Sequence, residues 1–228
     1  MHQQGKKISI LSICGLGLAL LILSAPALSE TLTLSGQDME AIAAYNNGAE
    51  LASRGQFEEA LRITDEALSI QPNFSLAWAQ KAGLLVVLGR NEEAVAAADN
   101  AIAGNSNISE AWASRADALN NLGEYTEALY SAQQSVALDP GLAEGWANEA
   151  TALGSLGHYQ EAIQASEKAL SINPDLPAAL SARRFAAAML RQATTIPAPP
   201  TSAPVSPALP VLAMMAAGVH VATTWRRK

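Results

Sequence analysis

The chain has 228 residues, a formal net charge of −7 and a single cysteine, Cys14. Residues 30–200 contain all 21 acidic side chains but only nine of the 14 basic ones. This part of the chain therefore repels phosphate backbones, which excludes nucleic acid as a partner. Because Cys14 stands alone in the chain, the sequence also excludes a disulfide framework.

Residues 1–29 have the three-part layout of a secretory signal peptide. Two lysines precede an uncharged apolar stretch at 8–23, and a run of small, turn-prone residues ends at Ser29. As a helix the apolar stretch would be about 24 Å long, shorter than the roughly 30 Å hydrocarbon core of a bilayer. We therefore predict cleavage after Ala27 or Ser29, and retention as an N-terminal anchor is the alternative.

The central part of the chain repeats itself every 34 residues. A tryptophan column, a glycine column and two columns of small residues share this spacing: Trp78, Trp112 and Trp146; Gly55, Gly89, Gly123 and Gly157; Ala60, Ala94, Ala128 and Ala162; Ala67, Ala101, Ser135 and Ala169. Aligned on tryptophan, the repeats are 41–74, 75–108, 109–142 and 143–176. Residues 30–40 form a polar lead-in, in which Ser35 or Asp38 is a candidate cap for the first helix.

Each repeat is predicted to be a helical hairpin. In the third repeat, apolar residues recur from Trp112 to Leu122 at steps of three and four, which is the period of one helix face. Gly123 follows directly and suits a left-handed helix end. A second helical pattern begins at Tyr125 and stops before Pro140, because proline disfavours helix in the residue that precedes it.

This period, with tryptophan early, glycine in the middle and proline near the end, resembles that of the tetratricopeptide repeat (TPR) family. The resemblance covers residues 41–176 and implies an all-α, right-handed superhelical array of four helical hairpins. Residues 177–193 begin with proline and carry one apolar side, so we predict a C-terminal capping helix there. Three departures from the family pattern are Ala44 in place of the first tryptophan, Arg54 in place of the leucine before the glycine and Ser106 in place of a closing proline.

The C-terminal part of the chain changes composition abruptly. Residues 194–210 contain six prolines and are predicted to form an extended linker. Residues 211–228 are apolar and end in three basic residues, like a membrane anchor, and the layout is similar to the C-terminal sorting signals of prokaryotic surface proteins. With basic residues at both ends of the chain, we expect an extracytoplasmic, membrane-anchored protein at the cell surface or in the periplasm.

No residue pattern indicates catalysis. His2, His158 and His220 lie in three unrelated segments, so no metal site is expected, and no nucleophile with its base or phosphate-binding glycine loop is present. We predict that the chain is not an enzyme and needs no cofactor. Asn73 and Asn107 begin Asn-x-Ser triplets in the turns between repeats and are candidate glycosylation sites.

The resemblance implies that the first helix of each repeat lines a concave groove that binds a peptide. Carried over position by position, it assigns the following candidate groove residues: Tyr45, Asn46, Gln80, Gly83, Val86, Glu110, Asp117, Asn120, Asn121, Glu144, Asn148 and Thr151. The amides among them offer donors and acceptors to a peptide backbone. The lysines and arginines with which one TPR subfamily clamps a C-terminal carboxylate are absent from these positions.

The groove is predicted to run from apolar residues in the second repeat to carboxylates in the third and fourth. This gradient favours a partner segment with an apolar part and a basic part. We therefore predict a membrane-tethered adaptor that binds a protein or peptide segment in its concave groove. The alternatives are a structural surface protein that acts by self-association and an accessory of an envelope complex that uses its convex face.

Overall fold

The computed structural model describes residues 35–195, and within this range the chain is entirely helical. Nine helices follow one another, joined by short turns: α1 (Gly36–Ser53), α2 (Phe57–Ile70), α3 (Ser75–Val87), α4 (Asn91–Gly104), α5 (Ser109–Leu122), α6 (Tyr125–Leu138), α7 (Ala143–Ser155), α8 (Tyr159–Ile172) and α9 (Pro177–Thr195).

The helices form the expected array of four hairpins closed by one more helix. Each odd-numbered helix from α1 to α7 packs against the helix that follows it, and each hairpin packs against the next. The first helices also touch their counterparts in the next repeat, α3 against α5 and α5 against α7, and α9 covers the end of the array by packing on α7 and α8. The predicted fold class is therefore confirmed.

The first helix begins with a capping box inside the polar lead-in. The Ser35 hydroxyl accepts a hydrogen bond from the Asp38 backbone N–H at 3.1 Å, and the Asp38 carboxylate accepts one from the Ser35 N–H at 2.9 Å. This reciprocal arrangement satisfies backbone donors that a helix N-terminus otherwise leaves unpaired. Both candidate capping residues thus act together, with Ser35 as the cap.

The glycine column marks the turn inside each hairpin, as predicted. All four glycines have positive φ, at 75°, 73°, 82° and 87° for Gly55, Gly89, Gly123 and Gly157. After α5, the Glu124 N–H reaches back to the Leu119 carbonyl at 2.9 Å and closes the helix end. Only glycine adopts this left-handed conformation without steric cost, which explains why the column is invariant within the chain.

The tryptophan column fastens the turn between successive repeats. Each indole N–H donates to the carbonyl of the residue six positions earlier: Trp78 to Pro72 at 2.7 Å, Trp112 to Ser106 at 2.9 Å and Trp146 to Pro140 at 2.9 Å. Since Ser106 receives the same hydrogen bond as the two prolines, the missing proline leaves this link between the repeats intact.

Columns of small residues lie where helices touch. Ala60, Ala94, Ala128 and Ala162 are completely buried, and so are three of the next column, Ala67, Ala101 and Ala169, together with Ser135. The core is thus built mainly of alanine, with leucines such as Leu85 filling the wider spaces. Close-packed interiors of this kind tolerate little change in side-chain volume.

The linker is predicted at 194–210, but α9 continues through its first two residues to Thr195. The rest of that linker lies outside the described residues, as do the signal peptide at 1–29 and the anchor-like tail at 211–228. Within residues 35–195, none of the helices has the length and apolarity that crossing a bilayer would need.

Candidate peptide-binding groove

Six of the predicted groove residues line a single open cavity of about 320 Å³. They come from three successive first helices, α3, α5 and α7, and are Gly83, Val86, Glu110, Asp117, Glu144 and Asn148. Four further residues complete the lining: Val87, Ala113, Ser114 and Leu142. We call this cavity the groove pocket.

The helical period explains how α5 supplies the floor of the groove pocket. Its residues Glu110, Ala113, Ser114 and Asp117 are separated by three, one and three positions, so they share one side of a helix with 3.6 residues per turn. Small side chains keep the space open. A Cβ atom placed on Gly83 would lie 3.6 Å from the Ser114 hydroxyl oxygen, at ordinary van der Waals distance, so an added methyl group would fill the space between α3 and α5 here.

One wall of the groove pocket is apolar and accessible. Val87 is 58% exposed although it is apolar. Val86 and Leu142 are half-buried beside the pocket. Exposed apolar side chains that line a concavity, rather than being scattered singly, are typical of binding surfaces.

The other wall carries carboxylates. Glu110 and Glu144 are exposed, whereas Asp117 is half-buried between the first helices. Burial raises the pKa of Asp117, because desolvation disfavours the charged form, and a hydrogen bond from the Asn121 amide partly opposes this effect. None of the ten residues that line the pocket is basic. The pocket therefore combines apolar surface with uncompensated negative charge.

The structure uses three of the predicted amides to join neighbouring first helices. The Asn148 side chain donates to the Ala113 carbonyl at 2.9 Å, and the Asn120 side chain donates to the Asn148 carbonyl at 3.0 Å. With its side-chain O and N assigned so that both atoms are satisfied, the Gln80 amide bridges to α1 in the same way, donating to the Tyr45 carbonyl at 3.3 Å. Both asparagines are buried, so their amide nitrogens are committed to the fold and not to a ligand.

The remaining predicted residues lie around the groove pocket or away from it. Asn121 is exposed and donates to Asn91 at 3.2 Å, and Thr151 donates to the Ala147 carbonyl of its own helix. Tyr45 packs on the Phe74 ring at 5.3 Å between centroids, and Asn46 is exposed on α1. These four residues are not among those that line the groove pocket.

A sequence signal could have identified the bridging amides. Two of them, Gln80 and Asn148, occupy the sixth position of their repeats, as the exposed Asn46 does, whereas Asn120 occupies the twelfth. A repeated polar residue is as compatible with a repeated interface as with a ligand. Leu142, which also lines the pocket, lies in the turn before α7 and carried no such signal. Asn73 and Asn107 are exposed in the turns before α3 and α5, and their glycosylation stays a prediction.

Within the part of the chain that the structure describes, no three His, Cys, Asp or Glu side chains come together as a metal site would require.

Comparison with known proteins supports the same architecture. Residues 143–176 match the family model of the tetratricopeptide repeat. MamA from Desulfovibrio magneticus is similar in structure, with a TM-score of 0.53 and 21% identity over 71% of this chain and 96% of that one. A thermophilic TPR protein from Thermus thermophilus aligns with a TM-score of 0.56 and 19% identity, covering 67% of this chain and 89% of the other.

A TPR protein from Parabacteroides merdae gives a TM-score of 0.54 at 19% identity, over 68% of this chain and 60% of that chain. No curated protein matches the chain by sequence. The described residues therefore have the fold of TPR proteins, which in general serve as scaffolds that bind proteins or peptides.

Proposed function

We propose that this TPR fold is an adaptor that holds an extended segment of a partner protein in the groove pocket. The partner segment carries a lysine or arginine beside apolar residues. The adaptor is anchored through residues 211–228 and works outside the cytoplasm.

The observation that carries this proposal is the composition of the groove pocket. An accessible apolar wall around Val87 faces the carboxylates of Glu110, Asp117 and Glu144, with no basic residue in the lining. An apolar side chain of the partner would remove Val87 from water, and burial of apolar area contributes about 25 cal/mol per Å². A basic side chain would supply the missing positive charge, which favours association and orients the bound segment.

Asp117 gives the pocket selectivity for a cation. Its carboxylate is costly to ionise where it lies, because burial removes it from water. A bound ammonium or guanidinium group would favour the ionised form and recover part of that cost. An acidic partner segment would meet three carboxylates and be repelled.

The proposal can be tested without knowing the partner by selecting peptides from a random displayed library on the full-length chain, solubilised in dodecyl maltoside. We expect the selected peptides to share a basic residue next to apolar ones. Binding should weaken at least about tenfold in the double variant Glu110→Gln, Glu144→Gln, since loss of about 1.4 kcal/mol corresponds to that factor. Val87→Ser should also weaken binding, because it removes the exposed apolar contact.

A matched control is the double variant Glu58→Gln, Glu92→Gln, which removes two exposed carboxylates from the second helices α2 and α4 and should leave binding unchanged. If both double variants weaken binding equally, the effect is one of overall charge and the groove pocket is not the site. If no peptide is selected and the full chain instead sediments as concentration-dependent oligomers, self-association replaces the adaptor function.

The anchoring part of the proposal needs its own measurement. We expect the full chain to stay in the membrane fraction after alkaline carbonate extraction and a chain that ends at residue 210 to be released. Release of both chains would contradict anchoring through the tail while leaving the groove proposal in place.

A further inference from the structure

A second cavity, of about 330 Å³, lies on the other side of α5 from the groove pocket. It is formed where α4, α5 and α6 meet, and seven residues line it: Asp99, Ile102, Trp112, Arg115, Thr126, Glu127 and Tyr130. Trp112 and Arg115 project about half a turn away from Glu110 and Asp117 on the same helix, as 3.6 residues per turn requires. We call this cavity the Trp112 pocket.

The two other tryptophans of the column, Trp78 and Trp146, each have a lysine ammonium group over the indole ring. In the second repeat the Lys81 ammonium lies 5.3 Å from the centre of the Trp78 ring, and in the fourth repeat the Lys168 ammonium lies 4.0 Å from that of Trp146. Cations are attracted to the negative face of an aromatic ring, most strongly to that of tryptophan. Two of the three tryptophans thus receive an ammonium group from the chain itself.

Trp112 lacks such a partner among residues 35–195. The repeat position that holds Lys168 in the fourth repeat holds Gln134 in the third. The position that holds Lys81 holds Arg115, whose guanidinium bridges Asp99 at 2.7 Å and the Ser131 hydroxyl at 2.8 Å. Lys81 bonds the equivalent aspartate, Asp65, at 2.7 Å and still lies over the Trp78 ring, so the bond to Ser131 is what distinguishes Arg115. The Trp112 and Tyr130 rings instead pack edge to face, with 6.0 Å between their centroids, and Tyr130 is 55% exposed.

A column of glutamates also shows that, within residues 35–195, the third repeat lacks an internal cation that other repeats have. Every repeat has a glutamate at its nineteenth position: Glu59, Glu93, Glu127 and Glu161. Three of them have a partner inside the chain, namely Arg62 at 2.6 Å, Arg90 at 2.6 Å and His158 at 3.3 Å, respectively.

Glu127, in the third repeat, forms no ion pair with any described residue. The two positions that hold the partners elsewhere are occupied here by Glu124 and Tyr130, an acid and an aromatic ring. Among the described residues, the third repeat therefore has no cation beside its tryptophan or beside its glutamate. Both side chains, Trp112 and Glu127, line the same pocket.

We propose that the Trp112 pocket binds a lysine side chain presented by a partner protein, with the ammonium group on the Trp112 and Tyr130 rings and beside the Glu127 carboxylate. The aliphatic part of the lysine packs against Ile102. Because the Arg115 charge is already balanced by Asp99, the Glu127 carboxylate leaves the pocket with a net negative charge. The pocket volume lies at the lower end of the range typical of ligand sites, which suits a single side chain.

The Trp112 pocket is independent of the groove pocket, since the two share no lining residue. Binding at one can therefore be measured while the other is disabled. A protein that uses both pockets would contact the array from two sides, and linked sites of this kind gain affinity through effective concentration.

The test uses the full-length chain labelled with 5-fluorotryptophan in dodecyl maltoside, a detergent without a cationic headgroup, and follows the tryptophan signals by fluorine NMR. The probe is the peptide acetyl-Gly-Lys-Gly-amide, and the neutral control peptide has norleucine in place of lysine. We expect a saturable shift of the Trp112 signal, assigned with Trp112→Phe, with the lysine peptide only. The Trp78 and Trp146 signals should not shift, because their rings already carry a lysine.

The decisive variant fills the pocket from within the chain. Gln134→Lys places a lysine at the repeat position of Lys168 and should abolish the shift of Trp112 by the probe. Asn100→Lys adds the same charge at that position of the second repeat, where Trp78 is already occupied, and should leave the shift intact. Tyr130→Ala and Glu127→Gln, both at exposed positions, should each reduce the shift at a given peptide concentration.

Three outcomes would overturn the proposal. The norleucine peptide shifting Trp112 as strongly as the lysine peptide would make the pocket a purely apolar site. A shift with a peptide of residues 196–210 of this chain, and none with the lysine peptide, would make it a site for the proline-rich linker. Equal effects of Gln134→Lys and Asn100→Lys would reduce the interaction to overall charge.

Discussion

The four repeats are similar at the interfaces between helices and differ on the two exposed faces of the array. At the interfaces the four repeats are nearly copies of one another: the alanine column through Ala128 is fully buried and the glycine column through Gly123 has one conformation. On the faces, corresponding positions hold unrelated residues, such as Val87 and Asn121 on one side and Ala96 and Tyr130 on the other. The residues shared by all repeats maintain the architecture, and the residues that differ give the third repeat a surface unlike those of its neighbours.

This contrast predicts that substitutions at interface columns change stability, whereas those on the faces change binding. The following substitutions test the contrast in order of decreasing effect on the urea midpoint of the full-length chain.

The largest effect is expected for Ala128→Leu. Ala128 is completely buried between helices, so the added atoms must displace its neighbours, which costs about 3 kcal/mol. The matched control is Ala137→Leu on the same helix, where the side chain is exposed. A similar midpoint for both variants would contradict the view that this column fixes the spacing between helices.

A smaller loss is expected for Asn148→Ala. The substitution removes a buried amide that donates to the Ala113 carbonyl and leaves that carbonyl without this partner, at a cost of about 2 kcal/mol. Asn121→Ala, at an exposed position, serves as the control and should change stability by less than about 0.5 kcal/mol. If the two variants were equally stable, the bridging amide would contribute nothing to the fold and would be free for a ligand.

Gly123→Ala should cost roughly 1 kcal/mol. A Cβ atom at Gly123 has no neighbour within 4 Å, so the cost comes only from the left-handed backbone at φ 82°. Gly36→Ala is the matched comparison, because it also has open space but lies in the first turn of α1 without a positive φ. It should leave the midpoint unchanged or raise it slightly.

Of the four test substitutions, Asp117→Asn in the groove pocket is expected to have the smallest effect, and that effect is stabilising. Burial raises the pKa of Asp117 in the folded chain above that of the unfolded chain. The folded state then holds the proton more tightly, so stability falls as pH rises from the unfolded pKa through the folded one. The wild-type chain should lose this stability above about pH 4, the ordinary range of an aspartate, and Asp117→Asn should not.

Urea midpoints measured from pH 3 to pH 8 for the wild-type chain and for Asp117→Asn check this expectation. If Asp117→Asn proves less stable than wild type at neutral pH, the carboxylate is structural. A gain in stability together with weaker peptide binding would mark Asp117 as a residue kept for the ligand.

Much of the fold could be predicted because its determinants act over short stretches of chain. The spacing from Trp112 to Leu122, the glycine that follows and the proline after α6 each restrict the backbone locally. The Ser35 cap was also recognisable, since a capping box involves four consecutive residues. Regular repetition then extended a local pattern into the whole array.

The candidate site was predictable only in part. The period places a residue on one side of its helix, so the sequence alone brought Glu110, Asp117 and Glu144 to one face of the array, and the structure puts them around one pocket. It could not tell that Asn120 and Asn148 turn into the interface with the neighbouring repeat. That outcome depends on how closely α5 and α7 approach, which no single repeat determines.

The sequence by itself thus determined the helices, their turns and the repetition, because these follow from backbone preferences within 34 residues. Only the tertiary structure decided which polar side chains form hydrogen bonds between repeats and which remain accessible to a partner. The Trp112 pocket shows the reason most clearly, because Arg115 is held between Asp99 on the preceding helix and Ser131 on the following one. Whether a cation of the chain itself reaches the Trp112 ring therefore depends on several helices packed together.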